Sequence, residues 1–431
     1  MEFTKIYEPT LRETLYTATH ESGLKIAIMP KQGYSKSYAV FGTHFGSVDN
    51  TFIPPSAAEK MTVPDGVAHF LEHKMFEQPD GSNVFESYAL HGANANAYTS
   101  FHVTAYLFES TQDVPENLGI LLDFVQQPYF TDENVAKEQG IIGQEIGMYD
   151  DDPGWQLMMG FLGAMFHENP VRIDIAGSVE SISKITKDTL YDCYHTFYHL
   201  SNMCLFIIGD VNPETIGDCI EQHLVKTEKA TGDIKRFYGT EPKTVKAKEV
   251  SKKLDVSVPM FMLGFKDPDC GYDGKKLLKK DIELSIICEL LFGKTSPIYT
   301  ELYDNGYILG GMDAETACEK EYGYVAVSGD SRDPEKVRSI IFEGLKAAQT
   351  NGLNEADIER VRRAMIGQYI KQFNNLNSVA HQYMSQVFNG IELFDFAEVV
   401  KEVTVSSTNE RLRSYFNTEH SVLSVIWPQN H

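Results

Sequence analysis

Apolar side chains recur at helical spacing in VAHFLEHKMF, where Val67, Phe70, Leu71, Met75 and Phe76 give a largely apolar helix. Gly66 stands just before it and Asp65 is a candidate cap. In ENVAKEQGIIGQEIGMYDDDP, Val135, Ile142 and Ile146 mark the buried face of a second amphipathic helix, with Glu138 and Glu145 on or beside that face. Gly140 and Gly143 inside it each cost about 1 kcal/mol in helix propensity, so another helix backbone is expected to pass close by. Between these helices, HGANANAYTSFHVTAYLFESTQDVPENLGILLDFV predicts a strand pair, an acidic helix start at Pro115 and an amphipathic helix. The second half repeats that order in NGYILGGMDAETACEKEYGYVAVSGDSRDPEKVRSIIFEGL, with Pro334 at the helix start. Each stretch leads to a capped further helix, ending in IIGQEI or MIGQYI. A whole unit repeated in this way predicts an α+β fold of two similar domains, each an antiparallel-type sheet packed with helices.

Composition then places the boundary. Residues 226–253 are rich in lysine and poor in large apolar groups, which predicts an exposed linker between a first domain over 1–225 and a second over 254–431. The 431 residues are 42% hydrophobic and 23% charged, ordinary for a soluble protein, but the net charge of −23 argues against nucleic acid and anionic membranes as partners. The first residues lack an apolar signal segment, and no run approaches the roughly 20 apolar residues of a membrane helix. The six cysteines are widely spaced without a C-x-x-C pair, which reads as reduced thiols and a cytoplasmic location.

The chemistry begins with HFLEH. On a helix, His69 and His73 share a face and Glu72 lies on its edge, an arrangement in which two neutral imidazoles hold an ion and a carboxylate handles a proton. A catalytic zinc site asks for a third ligand from another element and a position left open for water. Glu138 and Glu145, seven residues apart, would point the same way about 10 Å apart along their helix. Burying two such carboxylates calls for a cation. The alternative leaves them wet at the edge of the apolar stripe, where the helix dipole favours acids near its start. His195 and His199 form a rival pair but lack a neighbouring glutamate, so they read as structural or exposed, and His91 and His102 as core or surface residues.

H-x-x-E-H, followed 72 residues later by Glu145 with Glu138 seven before it, resembles the inverted-zincin metallopeptidases of the insulinase and pitrilysin type. GVAHFLEHKMFE, GANANAYTS, Asn169-Pro170 with Ile175-Ala176-Gly177, and YHLSNMCLFIIGDVNPE follow the order seen in that family. The length is similar to short bacterial subunits resembling mitochondrial processing peptidase β and YmfH-like proteins. The resemblance implies two homologous α/β-roll domains, one zinc ion held by His69, His73 and Glu145, Glu72 as general base, and Glu138 orienting the site from behind. It also implies that GANANAYTS is an edge strand that takes a peptide substrate as an added β-strand through Asn96, Ala97 and Tyr98. The second domain would complete a substrate chamber without binding metal, since it has no H-x-x-E-H and Gln368 is expected at the position of Glu145.

One part of the family pattern is missing. In the family's L-R-E-K-x-G-L-x-Y segment, an arginine and a tyrosine hold the substrate backbone; the corresponding positions here carry Tyr303 and Gly310. The resemblance therefore implies a zinc endopeptidase of short or unfolded peptides that works beside a homologous partner subunit supplying the Arg/Tyr pair, or as a homodimer. The alternative is a non-catalytic homologue serving as a scaffold or assembly subunit, including one associated with modification of a translation factor.

Overall fold

Apart from Ser56, Asp80, Thr231 and His431, the computed structural model describes every residue of the chain. Contacts divide the chain into two units, each assembled from three separate stretches. The first holds Met1–Ile146, Asp174–Phe237 and Ile370–Phe388; the second holds Gly147–Ile173, Tyr238–Tyr369 and Asn389–His431. Relative to contiguous spans of 1–225 and 254–431, the first unit gives up 147–173 and takes in 370–388.

The strands of the first unit are β1 (Thr4–Glu8), β2 (Glu13–Thr19), β3 (Lys25–Pro30), β4 (Ser37–Thr43), β5 (Thr51–Ile53), β6 (Met61–Thr62), β7 (Ala93–Thr99), β8 (Thr104–Ser110), β9 (Met203–Gly209) and β10 (Lys235–Arg236). Seven of them form one sheet in the order β1-β2-β3-β9-β4-β8-β7, antiparallel except where β3 runs parallel to β9. A small second sheet orders β10-β5-β6. The central strands are buried along their length, as β4 and β9 show, while β7 at the edge alternates exposed and half-buried positions. Packed on this sheet are α1 (Val67–Lys74), α2 (Val84–Leu90) and α3 (Val114–Val125), and the same unit holds most of α4 (Asp132–Asp151).

The second unit pairs β11 (Glu249–Leu254), β12 (Met260–Lys266), β13 (Leu309–Cys318), β14 (Gly323–Asp330) and β15 (Ser421–Pro428) in the order β11-β15-β12-β14-β13. Its core sets Phe261, Leu263 and Phe265 of β12 and Val325 and Val327 of β14 with Leu284 and Ile287 of the helix Gly274–Phe292. Both units thus have the α+β architecture expected, a largely antiparallel sheet under helices. The stretch 226–253 is not a bare linker, because β10 pairs with β5 and β11 pairs in parallel with β15.

The exchanged stretches each contribute a helix to the other sheet. Helix Leu376–Val387 covers β4 and β9 in the first unit, where Tyr383 stacks on Phe206 with ring centroids 4.6 Å apart. Gly42 of β4 admits it, since a Cβ there would lie 2.8 Å from the Met384 sulfur. Helix α5 (Pro153–Met165) does the same for β15, β12 and β11. There Gly264 gives room to Phe161, whose ring would meet an added Cβ at 2.4 Å. The shared I-G-Q-x-I of the two long helices aligns Tyr369, rather than Gln368, with Glu145 in sequence, and Tyr369 is buried with its hydroxyl donating to the Leu393 carbonyl.

Two expectations fail locally. Asp65 does not cap α1; its carboxylate accepts from the Asn50 amide, and Gly66 stands at the cap position with φ of 90°. Glycine is required there, because a Cβ would come within 2.4 Å of the Ala176 carbonyl oxygen. Gly177 likewise leaves room for the Asp65 carbonyl, so the loop carrying Ile175-Ala176-Gly177 lies against the start of α1. Gly140 and Gly143 do not admit a neighbouring backbone: among the described residues, nothing lies within 4 Å of where their Cβ atoms would be.

Candidate metal centre and edge strand

Helix α1 buries Val67, Phe70 and Leu71, and this packing fixes the direction of its polar face. One helical turn separates His69 from His73, whose ring centroids are 4.6 Å apart. Glu145 reaches them from α4, with one carboxylate oxygen 3.6 Å from His69 Nε2 and the other 3.5 Å from His73 Nε2. The three residues form a group in which one ligand atom from each lies within 4.8 Å of the others. Ligands bonded at about 2.1 Å in tetrahedral geometry sit roughly 3.4 Å apart, so the donor set and its spacing fit a zinc ion.

The surrounding groups tune these donors. Burial, together with the neighbouring His73, holds the His69 imidazole down at about 4, so it is neutral near pH 7 and able to act as a ligand. Its Nδ1 is buried with no hydrogen-bond partner among the described residues. Burial opposes charge on His73 too, but the hydrogen bond to Glu138 and the carboxylates around it prevail and raise its pKa. His73 Nδ1 donates to Glu138 at 3.1 Å, leaving Nε2 toward Glu145. Glu138 is held below the usual carboxylate range, because its bonds to His73 and Lys74 outweigh its burial. The cation that compensates the buried Glu138 is therefore Lys74, itself fully buried, with its Nζ 3.6 Å from Glu138 and paired with Glu77.

Glu72 faces the edge strand. Thr99 Oγ1, on β7, donates to Glu72 Oε2 at 2.6 Å, and burial pushes the carboxyl up against that bond. Alternation along β7 puts Thr99 and Ala97 on the α1 face and Asn96 and Tyr98 on the other. Tyr98 is half-buried there, its ring 4.9 Å from His381 of the helix Leu376–Val387, and His381 Nε2 is 3.2 Å from the Tyr38 hydroxyl. Of the three expected substrate contacts, Ala97 is thus the one whose side chain shares a face with Glu72.

Lys74, Thr99 and His381 escape the sequence reading. Lys74 directly follows the motif and Thr99 directly follows Tyr98, so adjacency is a signal for both. His381 lies 283 residues beyond Tyr98 with no local pattern to mark it. Among the described residues the rival pair joins no metal group: His195 stacks on Tyr191 and His199 Nδ1 bonds Ser201. Both line a cavity of about 710 Å³ in the first unit. His91 is paired with Asp113, and desolvation of the half-buried His102, with Arg236 nearby, holds its imidazole down at about 4.

Comparison with known proteins gives this arrangement its family. Residues 56–178 match the family described as Insulinase (Peptidase family M16), and residues 184–365 match the Peptidase M16 inactive domain. The chain is 42% identical over 421 residues to YmfH of Bacillus subtilis (strain 168), described as an uncharacterized zinc protease, covering 97% of this chain and 98% of that one. The crystal structure of an M16-like peptidase from Alicyclobacillus acidocaldarius is similar over 100% of this chain and 99% of its own, with a TM-score of 0.92 and 35% identity. Pitrilysin shares the fold at a TM-score of 0.74 and 16% identity, over 99% of this chain and 46% of its own. The chain belongs to the insulinase family of peptidases, M16.

Proposed function

We propose that this chain is a zinc-dependent endopeptidase that cleaves short or unfolded peptides, with one zinc ion held by His69, His73 and Glu145. The observation that carries the reading is the convergence of two imidazoles and a carboxylate from a different helix beside the half-buried Glu72. When bound, zinc lowers the pKa of its water toward about 7 and polarises a carbonyl. Glu72 takes the proton of the attacking water and hands it to the leaving amine. Its Oε2 is engaged by Thr99, so Oε1 is the oxygen free for that transfer. Glu138 and Lys74 act from behind the site, holding His73 in the orientation that presents Nε2. Strand β7 receives the peptide backbone along the edge of the sheet.

The partner proposal rests on Tyr303 and Gly310. Tyr303 is exposed beside Tyr299, and Gly310 has a φ of 89° at an irregularity between β13 and β14, a conformation that disfavours a tyrosine in its place. A homologous subunit, or a second copy, supplies the absent Arg/Tyr pair. The same absence favours the second reading, a non-catalytic subunit with a scaffold role. The six free cysteines fit a reducing, cytoplasmic setting, and no described helix is long and apolar enough to cross a membrane.

Metal analysis and peptide cleavage, with and without the candidate partner, decide between these readings. A zinc-loaded chain whose Glu72→Gln variant keeps the metal and loses cleavage supports chemistry. A native protein purified without zinc, or a Glu72→Gln variant that still cleaves, overturns it.

A further inference from the structure

The open edge of β7 has a defined hydrogen-bonding parity. Beyond the strand, Ser100 N–H donates to the Val103 carbonyl, so Ser100 and Val103 are a directly bonded pair. The register pairs Tyr98 with Ala105, Asn96 with Leu107 and Asn94 with Glu109, each pair a further two residues along the strand from the one before. Bonded and non-bonded pairs alternate in an antiparallel ladder, so Asn94, Asn96 and Tyr98 direct their backbone groups into β8. Ala95, Ala97 and Thr99 direct theirs outward, where an incoming strand would find them.

Ala97 N–H already has an acceptor. Asn96 Oδ1 accepts from it at 2.9 Å, although the Asn96 side chain rises from the face opposite Glu72. The carboxamide of one residue therefore turns around the strand edge to satisfy the outward donor of the next. An exposed edge strand otherwise offers free donors to any chain with strand propensity, and native proteins block such edges.

We propose that Asn96 is a displaceable cap on the docking edge, its carboxamide oxygen standing where the carbonyl of a bound peptide goes. This rests on the reading that β7 receives peptide, and specifies how it does so. A peptide carbonyl reaches Ala97 N–H only by expelling Asn96 Oδ1, so the side chain lowers affinity for every strand equally. Segments that make further bonds at Ala95 and Thr99 overcome the competition; segments too short to span all three residues do not. Asn96 acts by competing with substrate and so sets the affinity a segment must exceed to dock, whereas a residue that simply grips the peptide would strengthen binding.

The two roles predict opposite signs. In a Glu72→Gln background, which prevents turnover, fluorescence anisotropy with a labelled unstructured peptide of about fifteen residues measures affinity. Removing the cap with Asn96→Ala tightens binding by about twofold to fivefold, the range expected for losing one exposed intramolecular hydrogen bond. Asn96→Asp keeps an acceptor oxygen in place and does not tighten it. Mass-spectrometric hydrogen exchange over residues 93–99 of the free protein gives a second reading: Asn96→Ala speeds exchange and Asn96→Asp does not. Weaker binding by Asn96→Ala, or unchanged exchange in the free protein, overturns the proposal. Failure of every variant to bind peptide removes the docking reading and the displacement step with it, and the exchange difference shows separately whether the cap itself exists.

Discussion

Both units press a helix against the edge strand of a sheet and pin the two together through a hydroxyl and a carboxylate. In the first, Thr99 of β7 donates to Glu72 of α1 at 2.6 Å; in the second, Thr316 of β13 donates to Asp281 of the helix Gly274–Phe292 at 2.7 Å. Burial raises the pKa of both carboxyls. The surroundings differ. Glu72 sits between two histidines that face Glu145, whereas no described group in the second unit has the spacing to hold a metal. The pin belongs to the architecture of both units, and among the described residues the side chains with the spacing to hold a metal lie beside the first one.

The sharpest test exchanges the two carboxylates' fates. Glu72→Gln is expected to lower peptide cleavage by about a hundredfold or more with zinc content unchanged, the usual scale for losing a general base. Asp281→Asn in the second unit is expected to leave both unchanged. Equal losses of cleavage from the two variants would end the distinction between the units. Next in size, Glu138→Ala frees His73 Nδ1 and is expected to weaken zinc affinity by about tenfold to a hundredfold, measured by competition with a chelator.

Two smaller effects compare the scaffolds. Gly264→Ala drives a methyl against Phe161 and within 2.8 Å of the Val325 carbonyl, with an expected cost of about 1–3 kcal/mol in denaturant titration. Gly42→Ala meets the end of the flexible Met384 side chain and should cost less. The smallest effect is in pH. Burial raises Glu319, in the second unit, to about 7 from 4.5. A raised carboxyl contributes stability in full below pH 4.5 and loses it as pH rises through 7. Glu319→Gln should therefore match the native melting temperature at pH 4.5 and exceed it by a few degrees above pH 7. Parallel melting curves at both pH values would refute that sign.

Much of the first unit's candidate site was legible because helical periodicity is strict. The spacing of His69 and His73 implies a shared face and the apolar stripe of α4 places Glu138 and Glu145 beside another, while the choice of Glu145 over Glu138 came from the family resemblance. Lys74 was harder to see, since a lysine at the end of an apolar helix reads as a solvent-facing tail until its Nζ is found buried against Glu138. The α+β pattern and its repetition were legible for the same reason of period. The assignment of stretches to units was not, because membership depends on which sheet a helix covers, and amphipathicity records only that some sheet is covered. The strands within 226–253 were hidden by their lysines, which suit an edge position as well as a linker.

The reciprocal loan of helices limits how this molecule can be dissected. A fragment ending at residue 225 would lack the segment whose Tyr383 and Met384 lie on β4 and β9, leaving a wide greasy sheet face open to water. Its complement would lack Phe161 and expose β12 in the same fashion. Neither piece should be recoverable in soluble form alone, while the two expressed together in one cell can each provide what the other misses.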